Sequence, residues 1–402
     1  MSATSELFDV AIVGAGPSGL TAAIVIAEAG FRTALIAAAA PEDRRTTALL
    51  GGSVTLLERL GIRDAVAAAG ASMHTMRLID DTGRLIRAPE VSFRCQEIGR
   101  DVFGYNIHNS ALCRILAERA AQCTTLTRID ARVETAAPGE TAIGLTLASG
   151  DTISARLAVA ADGARSLLRE AAGIALKTWT YPQSAMVFDV SHKRPHGGVS
   201  VEFHTRSGPF VLVPLPGDAS SIVLVETPAV AERLAGLAPD ILVEEVERRS
   251  HSIFGRMALT SQPQVFPLSG ATAKAFGAAR IALVGEAGHR FPPIGAQGLN
   301  LSFRDVGSLA ECLTAARRKG ADIGGDALIA AYDRARRIDV TTRTVGVDIM
   351  DRALLADDLP TQMVRSLGLA LAGGVAPLRR LMMREGLTPT IGTPKMMRAP
   401  QA

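Results

Sequence analysis

Three glycine-bearing motifs in a fixed order constrain this chain more than any other feature. Gly14-Ala-Gly16-Pro17-Ser18-Gly19 lies near the N-terminus and Ala161-Asp162-Gly163-Ala164-Arg165-Ser166 in the middle. Gly285-Glu286-Ala287-Gly288-His289 follows, running on through Pro292, Pro293 and Ile294 to Gly295-Ala296-Gln297-Gly298-Leu299-Asn300. Each is preceded by a short apolar run (Leu7–Val13, Leu157–Ala160, Ile281–Val284) that reads as a buried strand. Residues 17–29 read as a helix and Arg32–Ile36 as a second strand, which completes a βαβ unit. In that setting GxGxxG predicts a dinucleotide site. Gly14 permits the tight turn, Gly16 lets the backbone approach a pyrophosphate, and Gly19 lets helix and strand pack closely. Pro17 and Ser18 open the helix whose N-terminus would face the phosphates. The second strand ends Leu35-Ile36-Ala37-Ala38, without the usual acidic residue for a ribose; Glu42 and Asp43 are the first acids after it.

Composition sets bounds around this unit. A chain of 402 residues can bury a large core and is expected to hold two domains. Its net charge of +3, with three Tyr and one Trp, argues against a nucleic-acid binder. Cys95, Cys113, Cys123 and Cys312 show no metal-ligand spacing, so no metal site is expected and the thiols read as reduced. The N-terminal apolar run carries Glu6 and Asp9 ahead of and within it and enters a glycine turn, unlike a signal peptide. No uncharged run approaches the ~20 residues needed to span a bilayer. A cytoplasmic protein is the expectation.

Further along, residues 49–60 and 109–121 read as helices, and Met73–Arg87 as a hairpin turning at Asp81-Thr82-Gly83. From Trp179 to about Thr227 the period changes to two, with Gly and Pro breaks, as in an antiparallel sheet. The last hundred residues read as mostly helical. The expected fold class is α/β, α+β overall: a Rossmann-like nucleotide domain interrupted by an antiparallel β-sheet substrate domain, with a helical C-terminus. The boundaries read as 1–72, 100–178 and 268–350 for the nucleotide domain, 73–99 and 179–267 for the β-rich domain, and 351–402 for the C-terminal segment.

Together the three motifs resemble those of the single-component, FAD-dependent aromatic hydroxylases related to p-hydroxybenzoate hydroxylase. Within that group the chain most resembles the ubiquinone-biosynthesis hydroxylases of polyprenylated phenols. The likeness extends to Arg45-Thr-Thr-Ala-Leu, Gly298-Leu-Asn-Leu-Ser-Phe-Arg304-Asp305, Tyr332 with Arg336-Arg337, and Pro377-Leu-Arg-Arg with Gly386-Leu387. It implies a glutathione-reductase-type FAD domain. It also implies that Asp162, Gly163 and Arg165 help bind FAD and NAD(P)H. As a reading of the residues alone, Asp162 could equally cap the following helix. The family's third motif reads Gly-Asp-Ala-Ala-His, and its carboxylate binds a ribityl hydroxyl. Here Glu286 after Gly285 is one methylene longer but still an acceptor. His289, ahead of two prolines, reads as a packing residue more than a catalytic one.

The resemblance places the isoalloxazine ring against Pro293, Gly295, Gly298, Leu299 and Asn300, where backbone N–H groups opening a helix would meet charge developing on the reduced ring. Arg45 is expected near the flavin, in ring movement or binding, and Tyr105 and Asn106 near a position that approaches it. The implied chemistry is reduction of FAD by NAD(P)H, addition of O2 at the flavin C4a carbon, and oxygen transfer from that hydroperoxide to an electron-rich phenol. This demands an apolar, water-excluding pocket between the β-rich domain and the flavin. Phe203, Phe210, Leu212 and Pro214 alternate suitably for its wall, and equally for core packing. No catalytic base is evident.

From Thr361 onward there are six basic side chains and one acidic. Met363, Leu367, Leu371, Val375, Leu378 and Met382 recur at helical spacing among Arg365, Arg379, Arg380 and Arg384. Such a segment can lie on the inner face of an anionic membrane, dock in a quinone-biosynthesis complex, or pack on its own domain. Three functional readings stay open: a hydroxylase of a polyprenylated phenol, a flavoenzyme acting on a small soluble phenol or a prenyl double bond, and a flavin-binding scaffold.

Overall fold

The computed structural model describes residues 7–39, 43, 45–84, 87–292, 297–355, 371, 374–389 and 392–398. Glu42, Pro293, Gly295, Met363, Arg365 and Leu367 lie outside the described residues.

One eight-stranded sheet carries the nucleotide side. Its central path runs Gly277–Ala278, Ile281–Leu283, Thr152–Ala160, Leu7–Val13, Thr33–Ile36, Leu126–Ile129, and all pairings from Ile281–Leu283 onward are parallel. Parallel strands are covered on both faces, which is why these runs are apolar without alternation. Val10, Ala11 and Ile12 have no exposed surface, nor do Leu157, Ala158 and Val159. Helix Pro17–Glu28 packs on this sheet and buries nine of its twelve residues. Each Ile or Leu side chain withdrawn there contributes roughly 1.5–3 kcal/mol.

A nine-stranded sheet carries the other side. Its order is His289–Arg290, Gln264–Ala273, Leu176–His192, Ala219–Glu226, Pro209–Leu215, Val199–His204, Thr75–Asp80, Val91–Arg94, with Met257–Leu259 paired to Leu176–His192. Every pair is antiparallel except Val199–His204 with Thr75–Asp80, which is parallel. Strands Leu176–His192 and Gln264–Ala273 run without interruption through 178/179 and 267/268. A small sheet of Thr46–Leu50, Gly104–His108 and Ala71–Met73 lies between. Among the described residues the C-terminal part carries helices Gln297–Arg318, Asp326–Leu355 and Ala376–Leu387. Among the described residues no helix is long and apolar enough to cross a membrane.

Two local expectations are corrected. The helix expected over 49–60 is Gly52–Arg59, because Leu49 and Leu50 are the end of a strand paired with Tyr105 and Gly104. Gly51 makes the break at φ +45°, where an added Cβ would stand 2.2 Å from the Leu387 carbonyl oxygen. The hairpin expected over Met73–Arg87 has its first strand at Thr75–Asp80, but the returning strand is Val91–Arg94. Asp80 explains the longer connection: one carboxylate oxygen accepts from Thr82 N (3.1 Å) and Thr82 Oγ1 (2.7 Å), the other from Ala88 N (2.9 Å). An aspartate bonding ahead along its own chain holds a wide loop where a tight turn was expected.

Candidate active site

The parallel register brings the three motifs together. Val13 pairs with Ala160 and with Ile36, and Ala160 pairs with Leu283. The ladder continues one step further, with Ala161 N donating to Val13 O and Val284 N to Ala160 O, each at 2.9 Å. Gly14, Asp162 and Gly285 therefore lie just beyond the carboxyl ends of three adjacent strands, where open α/β sheets bind ligands.

The glycines of the first motif divide into two kinds. A Cβ on Gly14, at φ +107°, would stand 2.2 Å from Ala161 O, and one on Gly19 would stand 1.9 Å from Gly14 O. The protein's own backbone fills both spaces. A Cβ on Gly16 would meet nothing within 4 Å. Gly16 is exposed and caps helix Pro17–Glu28 in extended conformation, with no side-chain cap. That open space at a helix N-terminus fits a pyrophosphate. Ser18 faces Gly285, whose added Cβ would lie 3.1 Å from Ser18 Oγ.

Asp162 is not the helix cap. Ser166 caps Leu167–Ala171, its Oγ accepting from Arg169 N at 3.0 Å. Asp162 Oδ2 accepts from Leu168 N at 3.3 Å, while Oδ1 is buried with no hydrogen-bond partner. A buried acceptor in this state is costly unless a ligand completes it, which fits a hydroxyl of the cofactor. Gly163 turns at φ +84° and Arg165 points outward, exposed. Sequence reasoning overlooked Arg169. Buried, it donates through Nη1 to Ala164 O (3.0 Å) and Ala287 O (3.3 Å), fastening the second motif to the third.

Behind the third motif lies a buried charge network. Asp305 Oδ2 accepts from Gly285 N (2.9 Å) and His289 Nε2 (2.7 Å), and Oδ1 from Arg336 Nε (2.6 Å). Arg336 Nη1 donates to Asp339 Oδ2 (2.7 Å), whose other oxygen meets Arg304 at 2.8 Å. Burial pushes Asp305 toward the neutral form, but His289, Arg336 and the Gly285 N–H outweigh it and hold the carboxyl below its usual range. His289, with its side chain 1% exposed, thus ties the loop to Asp305. Glu286 lies outside the network, half exposed, 3.9 Å from Arg45. Arg45 is in turn held by Asp43 through Nε (2.9 Å) and Nη2 (2.8 Å), and Asn109 donates to the same carboxylate at 2.8 Å. Asp43 is engaged here and not at Ala37.

Gly298, Leu299 and Asn300 open helix Gln297–Arg318. Gly298 is exposed, and a Cβ there would meet nothing. The Asn300 side chain turns the other way: Oδ1 accepts from Leu50 N (2.9 Å) and Ser53 Oγ (2.7 Å), and Nδ2 donates to Ala48 O (2.8 Å). It fastens the small sheet to the helix start. Within that sheet Tyr105 faces the nucleotide-side core and Asn106 the larger sheet, donating to Pro214 O at 3.0 Å.

The four residues expected to serve a pocket wall or a core equally are buried in the structure. Phe203, Phe210 and Leu212 have no exposed surface and pack with Phe188, Leu224, Leu242 and Phe254 beneath helices Pro228–Ala235 and Pro239–Arg249. Pro214 is buried too. The opposite face, carrying Val187, Asp189, Val211, Val213, Ser221 and Val223, meets the nucleotide side: Thr46 Oγ1 donates to Ser221 Oγ at 3.1 Å, and His108 Nε2 lies 3.7 Å from Asp189 Oδ2. The four valines are half-buried, as the lining of a cleft would be.

The FAD binding domain family matches residues 7–345. The ubiquinone hydroxylase UbiL of Rhodospirillum rubrum is 33% identical, over 98% of this chain and 93% of its own. The 3-demethoxyubiquinol 3-hydroxylase of Escherichia coli is 29% identical, over 96% and 99%. A crystal structure of p-nitrophenol 4-monooxygenase PnpA from Pseudomonas putida matches with a TM-score of 0.77 at 18% identity, covering 99% of this chain and 100% of that one, a likeness of fold. The chain belongs to the FAD-binding flavoprotein monooxygenases that hydroxylate aromatic rings.

Proposed function

We propose that this chain hydroxylates the ring of a polyprenylated phenol in ubiquinone biosynthesis, with NAD(P)H as electron donor. The observation that carries this reading is the full-length similarity to ubiquinone hydroxylases. The cleft supports it: four half-buried valines suit an apolar ring, with few polar groups to orient a hydroxyl. Bound FAD would supply the chemistry of hydride acceptance from a nicotinamide and of O2 activation. The chain's part is to hold the pyrophosphate at Gly16, Pro17 and Ser18, and cofactor hydroxyls at Asp162 and Glu286. Gly163, Arg165 and the loop ending in Gly298, Leu299 and Asn300 would complete the enclosure, and Arg45, braced by Asp43, would position the ring.

Supply of a lipid substrate fits the C-terminal helix Ala376–Leu387. Its Met383 is buried and Arg379 bonds Glu97 at 2.6 Å, so one face packs on its own domain. Leu378, Leu381 and Met382 are exposed beside Arg380 and Arg384. That combination suits peripheral contact with an anionic membrane from the cytoplasm.

The test is mass spectrometry of prenyl lipids from cells lacking the gene. Loss of quinone with accumulation of a prenylphenol one oxygen short is expected; an unchanged profile would sink the reading. For the cofactor, Gly16→Val is expected to fold normally yet purify colourless, because a Cβ there has no protein atom within 4 Å and enters the space proposed for the pyrophosphate. Full FAD content in that variant would refute the placement.

A further inference from the structure

The row of strand ends gives a bound FAD a direction. From the open space at Gly16, beyond Val13, the second and third motifs lie to one side, past Ala160 and Leu283. That side carries Asp162 and Glu286, given above to the flavin half. The adenosine half therefore runs the other way, over Thr33–Ile36 and the edge strand Leu126–Ile129. A ribose there brings two neighbouring hydroxyls, which lose water on binding and need an acceptor. The end of strand Thr33–Ile36 has none to offer: Ala37, Ala38 and Ala39 follow it, and Asp43 is engaged with Arg45 and Asn109.

We propose that Asp130 supplies the missing acceptor, its carboxylate taking the two ribose hydroxyls of the adenosine half of FAD. The inference rests on the cofactor placement above. It moves a contact that GxGxxG folds ordinarily make from the end of the second strand to the end of its outer neighbour.

The register brings Asp130 to that position. Ile36 pairs with Ile129, and Ala37 N donates to Ile129 O at 3.1 Å, so Asp130 lies beside Ala37, one strand outward. Neighbouring strands are about 4.8 Å apart, so an acceptor lost at Ala37 can be replaced from there. Ala131 N donates back to Ile129 O at 3.0 Å, which leaves Asp130 at the apex of a three-residue turn at the strand's carboxyl end. Its side chain is 73% exposed, and Arg128 Nε donates to Oδ1 at 2.8 Å. Arg128 is the register partner of Leu35, which shares a core with Leu20 and Ile24 of helix Pro17–Glu28. Arg128 thus steers the carboxylate toward the sheet face which that helix covers, and the N-terminus of the same helix borders the pyrophosphate space. An exposed Arg–Asp pair contributes little to folding, so removing the carboxylate tests binding and not stability.

The experiment titrates the full-length chain, freed of FAD, with FAD, with ADP and with dideoxy-ADP, comparing wild type with Asp130→Ala and Asp130→Asn. ADP carries the adenosine ribose without the flavin, and the dideoxy form lacks only its two hydroxyls. Wild type is expected to prefer ADP over dideoxy-ADP by about tenfold or more, as for hydrogen bonds to a charged acceptor. Asp130→Ala should bind the two nucleotides equally and bind FAD about 10- to 100-fold more weakly, with the Tm of the FAD-free chain unchanged. Asp130→Asn, which keeps one acceptor oxygen, should fall between. A wild-type preference for ADP retained in Asp130→Ala overturns the assignment and leaves the cofactor placement standing. A wild type that binds FAD but treats the two nucleotides alike does the same. If wild type does not bind FAD, the placement and the assignment fall together.

Discussion

The two faces of the nine-stranded sheet are built from alternate residues of the same strands, yet they do different work. One face sets Phe188, Phe203, Phe210, Leu212 and Leu224 under two helices with almost no exposed surface. The other sets half-buried valines and Asp189, with the buried Ser221, against the nucleotide side. Large rings fill the face that is closed by the protein itself. Smaller side chains line the other face, Asp189 among them. The lesson is that the bulkiest residues of a strand mark its finished core, while the emptier face points to the ligand.

The largest expected effect tests the closed face. Phe203→Ala should cost roughly 3–5 kcal/mol of stability, since Phe203 is fully buried and stacks on Phe210 with ring centroids 5.5 Å apart. Turnover per bound flavin should be unchanged. Urea denaturation and flavin-normalised kinetics check this, and a changed KM with intact stability would reverse the assignment of faces. A smaller effect on stability, but a larger one on substrate, is expected from Val213→Trp on the open face. Its folding free energy should shift by less than about 1 kcal/mol, as for a site with space around it. The KM for a prenylphenol should rise about tenfold or more as the cleft fills. Equal KM values would place the substrate elsewhere.

This contrast also marks how far the sequence could be read. Three of the parallel strands were legible because the runs Leu7–Val13, Leu157–Ala160 and Ile281–Val284 are largely apolar and lead into the glycine motifs. Leu126–Ile129, with Thr127 and Arg128 in it, carries no such signal. The period of two over Pro209–Leu215 was legible as well, but alternation defines two faces without saying which is inward. Phe210 and Leu212 suit an apolar pocket and a core equally, and only the helices Pro228–Ala235 and Pro239–Arg249 decide between them. Arg169 could not be singled out, because its importance lies in two carbonyls, one of them 118 residues away. The same holds for Asp305: an acidic side chain inside helix Gln297–Arg318 resembles many others until Gly285, His289 and Arg336 converge on it. Asn300 was found for its backbone, and its side chain proved to hold the strand Thr46–Leu50 instead.

The last and smallest prediction sets the two sides of the sheet against each other through pH. On the helix side, hydrogen bonds from Arg248 and Arg249, against some burial, bring the Glu245 pKa down to about 2. The folded state thus binds its proton less tightly than the unfolded chain, so Glu245 contributes stability above the ordinary glutamate pKa and loses it as pH falls toward about 2. On the cleft side the sign is opposite. Asp189 is raised by burial, so the folded state binds its proton more tightly, and stability falls as pH rises from the ordinary aspartate value through the raised one. Above that window the ionised carboxylate weakens the fold. Glu245→Gln should therefore lower the denaturation midpoint at pH 7, with the deficit shrinking under acid. Asp189→Asn should raise the midpoint at pH 7, with the gain vanishing below the window. Midpoints measured from pH 3 to pH 8 give both curves. A loss of stability in Asp189→Asn at neutral pH would mean that His108 and Ser221 already satisfy the carboxylate as an ion. Asp189 would then be a fixed anion between the two sheets.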